Sequence, residues 1–83
     1  MATILFFGSI KEKMGRDEMR ISLPGPVTVE QIMAMAAKEA GVDARLLLGG
    51  PLIYAVNRQT VGKDGRVADG DEVAALPPMS GGM

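Results

Sequence analysis

Apolar residues recur along this chain with two different periods, and the switching between them outlines the fold. Thr3-Ile4-Leu5-Phe6-Phe7 is a β-branched and aromatic run broken by Gly8, which predicts a buried strand of about five residues. Ser9 and Glu12 have capping-box spacing and Gly15 suits a left-handed stop, so a short helix is expected over residues 10–14. Met19, Ile21 and Leu23 then alternate with Glu18, Arg20 and Ser22, the period of two that marks a strand with one wet face. Pro24-Gly25-Pro26 ends that strand sharply.

The period changes next. Thr28 and Gln31 repeat the capping-box spacing, and Val29, Ile32, Met33, Ala36 and Ala40 fall on one stripe that stops at Gly41, the pattern of an amphipathic helix. Its alanines let it lie close to a sheet, and its methionines read as fillers of core gaps. Asp43 is placed to cap a brief helical turn through Leu48, and Gly49-Gly50-Pro51 reverses the chain. Residues 52–56 form the next strand, Asn57-Arg58 a tight turn, and residues 59–61 a short strand that pairs back. After turn signals at Asp64-Gly65 and Asp69-Gly70, residues 73–76 make the closing strand. Strands on both sides of one dominant helix imply an α+β roll, a mixed sheet of about five strands wrapped over that helix. Both chain ends can then finish on central strands.

Composition narrows the chemistry. A chain of 83 residues has room for one core, so residues 1–76 form one domain and residues 77–83 a flexible tail. Hydrophobic residues at 47% and charged ones at 23% suit a globular fold. Net charge is -1, leaving no electrostatic footprint for nucleic acid or anionic lipid. The absence of Cys and His removes thiol nucleophiles, imidazole bases and the usual zinc ligands; no metal site and no permanently bound cofactor is expected. No apolar stretch approaches the roughly 18 residues that span a bilayer, and a cytoplasmic location is expected, away from membranes.

Three further groupings have plain readings. Asp69, Asp71 and Glu72 lack the continuation of a calcium loop and read as a solvated turn. Arg58, Lys63 and Arg66 offer a basic edge but read as a scattered solvated face. Gly8-Ser9 lacks the further glycines of a phosphate cradle.

The most distinctive segment is Pro77-Pro78-Met79-Ser80-Gly81-Gly82-Met83. Two prolines end the last strand and stiffen the exit, and the small residues beyond them can thread a narrow channel. Together with Leu5-Phe6-Phe7-Gly8-Ser9-Ile10-Lys11-Glu12, Thr28-Val29-Glu30, Ala55-Val56-Asn57 and Asp69-Gly70-Asp71-Glu72-Val73-Ala74, this order resembles the small ubiquitin-like sulfur carriers of molybdenum cofactor synthesis. The resemblance covers nearly the whole chain. It implies a β-grasp fold whose working group is the carboxylate of a terminal glycine, here Gly82. A ubiquitin-activating-type enzyme would adenylate that carboxylate with ATP, and sulfur would replace AMP to give a thiocarboxylate. The carrier would then insert its tail into the large subunit of molybdopterin synthase, which supplies the catalytic residues, and donate sulfur to a pterin precursor. Partner contacts would come from Phe7, Leu76, Pro77, Pro78, Met79, Ser80 and Gly81.

Two positions depart from the resemblance. Ala75 and Leu76 stand where such carriers often have an aromatic pair, leaving Phe7 to anchor the surface, since alternation turns only one of Phe6 and Phe7 inward. Met83 follows Gly82, and a carrier that keeps it presents its carboxylate about 3.3 Å too far along; a JAMM-type peptidase is the expected agent of its removal. The same chemistry would serve thiamine, transfer RNA thiolation, cysteine synthesis or protein conjugation, and a non-covalent β-grasp interaction module is the alternative from another class.

Overall fold

The computed structural model describes residues 1–78. Seven strands and three helices follow in the order β1 (Ala2–Phe6), α1 (Gly8–Met14), β2 (Glu18–Ile21), β3 (Val27–Thr28), α2 (Val29–Ala40), α3 (Arg45–Leu48), β4 (Ile53–Val56), β5 (Gln59–Val61), β6 (Arg66–Val67) and β7 (Glu72–Leu76). Five of the strands form one mixed sheet in the order β2-β1-β7-β4-β5. β1 and β7 lie parallel at its middle, and the other pairings are antiparallel. This is the β-grasp roll that the α+β pattern and the resemblance anticipate.

The dominant helix is made locally. The Thr28 hydroxyl accepts from the Gln31 amide at 3.1 Å and the Gln31 side chain accepts from the Thr28 amide at 2.8 Å, closing the capping box. Gly41 ends the helix at φ 74, a left-handed conformation that a Cβ would strain. Between these stops Val29, Ile32, Met33, Ala36 and Ala37 are buried, and burial of each large aliphatic side chain contributes roughly 1.5–3 kcal/mol. They pack on the inward residues Ala2, Ile4 and Phe6 of β1, Met19 and Ile21 of β2, and Val73 and Ala75 of β7. Tyr54 closes the far end of this core, its hydroxyl donating to the Leu47 carbonyl at 2.5 Å. Burial, and then the charge of Glu30, raises the Tyr54 pKa, so the hydroxyl stays a donor.

Several boundaries differ from the sequence expectations for physical reasons. α1 begins at Gly8, not at residue 10, and its N-cap is Phe7 with no side-chain hydrogen bond. The amides of Ile10 and Lys11 donate to the Phe7 carbonyl instead. Ser9 therefore lies inside the first turn and the Ser9–Glu12 capping box does not form. β1 is displaced by one residue toward the N-terminus, and β2 starts at Glu18 as expected but stops at Ile21, because Ala2 pairs with Ile21 and leaves Leu23 without a ladder partner. Asp43 supports α3 from outside: its Oδ1 accepts from the Arg45 amide at 2.9 Å while Ala44 holds the cap position. The ribbon of β3 against β6 has no counterpart in the sequence reading. It fastens the start of α2 to the loops beyond it, where the Val29 and Glu30 amides donate to the Gly65 and Lys63 carbonyls.

Candidate functional site

The helices cover one face of the sheet, and the other face is open. Alternation sends Leu5 of β1, Ala74 and Leu76 of β7, and Ile53 and Ala55 of β4 toward that open face. Registration aligns Leu5 with Ala74, Ala74 with Ala55, and Leu76 with Ile53, so the outward residues form continuous cross-strand rows. The side chains of Ala55 and Ala74 are too short to fill the space between their neighbours. A cavity of about 400 Å³ results, lined by Leu5, Phe7, Ala55, Arg58, Glu72, Ala74 and Leu76.

The adjacent phenylalanines have opposite roles. Phe6 is 1% exposed in the core, and Phe7 is 42% exposed on the wall of the cavity. Leu76 joins Phe7 on that wall. Pro77 follows it, half-buried and against the β1–α1 turn, where a Cβ on Gly8 would lie 2.9 Å from Pro77 Cγ. Gly8 has φ 57, so the glycine provides both the turn and the space for the proline. Pro78 is exposed. Four of the residues expected to bind a partner, Phe7, Leu76, Pro77 and Pro78, are thus gathered where β7 leaves the sheet. Met79, Ser80, Gly81, Gly82 and Met83, and with them most of the expected tail, lie outside the described residues.

Sequence reasoning missed Leu5, Ala55, Arg58, Glu72 and Ala74 as members of this site. The outward setting of Leu5 and Ala74 follows from the alternation that buries Ile4, Phe6, Val73 and Ala75, so that signal was present. Nothing local in the sequence pairs Ala55 with Ala74.

At the foot of the cavity the Asn57–Arg58 turn is tied to β7. The Asn57 amide donates to the Glu72 carbonyl at 2.8 Å. Asn57 Oδ1 accepts from the Glu72 amide at 3.0 Å, and Asn57 Nδ2 donates to Asp71 Oδ1 at 3.0 Å. The Ala68 amide, donating to Asp71 at 2.8 Å, and then Asn57 hold the Asp71 pKa below its ordinary 3.8. A depressed carboxylate stabilises the fold above its unfolded pKa and loses that contribution as pH falls through the folded value. Thermal unfolding followed as pH drops below 3.8 is therefore expected to show an acid-sensitive component that Asp71→Asn removes; an unchanged pH profile would contradict it.

A second cleft, of about 480 Å³, lies between β2 and α2 with Ile21, Ser22, Met35, Lys38 and Glu39 around it. It shares no residue with the first. Among the described residues no group of acidic side chains is arranged to hold a metal ion, and no helix is long and apolar enough to cross a membrane.

Comparison with known proteins bears on the same segments. The profile of the ThiS family matches residues 4–82, from β1 to the second glycine of the tail. The molybdopterin synthase sulfur carrier subunit of Escherichia coli is 38% identical over 82 residues, covering 99% of this chain and 100% of that one. Among solved structures, SAMP1 from Haloferax volcanii superposes with a TM-score of 0.79 at 22% identity, covering 98% of both chains. A chain from the complex of subunits 1 and 2 of molybdopterin-converting factor from Helicobacter pylori gives 0.64 at 23% identity, with 98% and 97% covered. With its β-grasp sheet, its tail rooted on a central strand and a profile match that spans both, the chain belongs to the ThiS family.

Proposed function

We propose that this chain is the sulfur carrier subunit of molybdopterin synthase and that the carboxylate of Gly82 is its working group. The observation that carries the reading is the full-length similarity to the Escherichia coli sulfur carrier subunit, joined to a family match that runs through Gly82. The chemistry agrees. A chain with no Cys and no His has no side chain suited to carrying sulfur covalently, and a terminal carboxylate becomes electrophilic once an oxygen is made a leaving group. In the proposed cycle an adenylating enzyme of the ubiquitin-activating type spends ATP to form an acyl-adenylate with release of pyrophosphate. A sulfur nucleophile then attacks the carbonyl carbon and expels AMP, leaving a thiocarboxylate.

The geometry of the exit supports a route of delivery. The large synthase subunit would cover the open face, with Phe7 and Leu76 as apolar anchors. Pro77 and Pro78 would direct Met79, Ser80, Gly81 and Gly82 into its active site, where sulfur passes to the pterin precursor. Support for such a partner comes from the Helicobacter pylori neighbour, which was solved as a complex of two subunits. The carrier itself is a donor, and the catalytic groups for transfer belong to the partner. We place the cycle in the cytoplasm, with ATP used by the activating enzyme and no cofactor resident in the carrier.

Gly82 is followed by Met83, so its carbonyl is locked in a peptide bond until that bond is cut; a JAMM-type peptidase is the proposed agent. Full-length and Met83-deleted protein, incubated with ATP, sulfide and the cognate activating enzyme, separate these ideas by intact-mass measurement. Replacement of one oxygen by sulfur on the deleted form alone is expected. Sulfur on the full-length chain with Met83 attached would remove the need for processing, and sulfur on neither form would overturn the carrier reading.

A further inference from the structure

The Asn57–Arg58 turn has a residue that its backbone does not favour. Asn57 and Arg58 have φ 50 and φ 71, the two-residue hairpin geometry whose preferred sequence is Asn-Gly. A side chain at the second position strains the left-handed conformation by roughly 1–2 kcal/mol, so turn formation does not account for an arginine there. Packing does not account for it either, since Arg58 is exposed.

Its surroundings do suggest a use. The three hydrogen bonds between Asn57 and the Asp71–Glu72 segment fix the root of Arg58 against β7. From there it forms part of the wall of the cavity floored by Ala55 and Ala74. Glu72 lines the same cavity, yet among the described residues no carboxylate lies within 4.0 Å of the Arg58 guanidinium; the ion pairs present join other groups. Arginine is the cation suited to a half-apolar site, because its stem packs on hydrophobic surface while a weakly hydrated planar fork can grip a carboxylate with two parallel bonds. The cavity is continuous with Leu76 and with the exit of the tail.

We propose that Arg58 is a specificity-determining residue for the partner that covers the open face: this partner seats a bulky apolar side chain on Ala55 and Ala74 and sets a carboxylate against the Arg58 guanidinium. The inference rests on the sulfur-carrier reading for the identity of that partner, the large synthase subunit. Arg58 then selects among apolar surfaces that would otherwise fit equally well, and it steers encounter as well as holding register.

The test uses the chain ending at Gly82 and the large subunit encoded in the same genome, with affinity and association rate measured at low and high salt. Arg58→Glu is expected to weaken binding about 10- to 100-fold at low salt, mainly through slower association, with the gap narrowing as salt screens the pair. Arg58→Lys should keep most of the affinity. Arg58→Gly relieves the strained turn, so it is expected to hold or raise the unfolding temperature while still weakening binding, a combination that a purely structural role cannot give. Ala74→Leu, which fills the floor and leaves the charge, should weaken binding with an unchanged salt dependence. Wild-type affinity and salt dependence in Arg58→Glu and Arg58→Gly would overturn the proposal and leave the carrier reading standing. Failure of the wild-type chain to bind would overturn both. Loss of self-association in Arg58→Gly would show that a second copy occupies the face, and would also overturn it.

Discussion

Deleting Gly81 and Gly82 from a chain that already lacks Met83 is expected to abolish thiocarboxylate formation while leaving thermal unfolding unchanged. Among the described residues every member of the hydrophobic core precedes Pro77, and the last ladder pair on β7 involves Leu76. The two glycines carry no side chain to bury, so their removal is expected to shift stability by no more than roughly 0.5 kcal/mol. The chemical effect is all or none by comparison. Without the glycines the activating enzyme meets a serine carboxylate two positions short, about 7 Å of extended chain, and misplacement on a far smaller scale already costs about 100-fold in rate. Intact mass after incubation with ATP, sulfide and activating enzyme, together with sulfur transfer to the large subunit, gives the readout. A truncated chain that still supports molybdopterin synthesis would make the tail a spectator and the fold a non-covalent interaction module.

The second large effect separates neighbours. Phe6→Ala is expected to destabilise the fold by about 3–5 kcal/mol, the range for truncating a buried phenylalanine, because Phe6 is 1% exposed beneath the parallel pairing of β1 with β7. A domain of this size holds on the order of 5–10 kcal/mol in total, so the variant should be largely unfolded at moderate temperature. Phe7→Ala opens no internal cavity, because Phe7 is 42% exposed; its stability should stay within about 1 kcal/mol of wild type. Its affinity for the large subunit should fall by about 10-fold or more, as expected for loss of an aromatic anchor. Chemical denaturation and partner titration of the two variants measure both quantities. Equal loss of stability in the two would mean that the inward and outward assignments are wrong.

What the sequence made legible was the structure that is decided within a few residues. Thr28 and Gln31 satisfy each other's amides one turn apart, Gly15 and Gly41 stop helices wherever those helices pack, and Asn57 before Arg58 turns a hairpin by its own backbone preferences. Less legible were features decided by residues far apart. The Ser9–Glu12 spacing is as good as that of Thr28–Gln31, but the chain turns at Gly8 to accommodate Pro77, and the helix starts too early for the box to close. The ends of β1 and β2 depend on each other's register, which periodicity does not encode. Two-residue strands such as Val27–Thr28 and Arg66–Val67 are too short to show any period. The candidate site divides in the same way. The exit residues stood out by their chemistry, whereas the cavity above Ala55 and Ala74 exists only because two unremarkable alanines from distant segments meet in register, and Arg58 gains meaning only beside them.

The central place of β7 also has a mechanical consequence. In the proposed cycle the tail is drawn into and out of a partner's channel, which would put tension on the strand to which it is attached. β7 is bonded to β1 on one side and β4 on the other, and a pull along its axis loads both ladders in shear, so their bonds must fail together rather than peel one at a time. An edge strand such as β5, held by a single ladder, would yield under a smaller force. In the proposed cycle, a strand held on both sides in this way is expected to resist unravelling when the carrier is pulled by its own end.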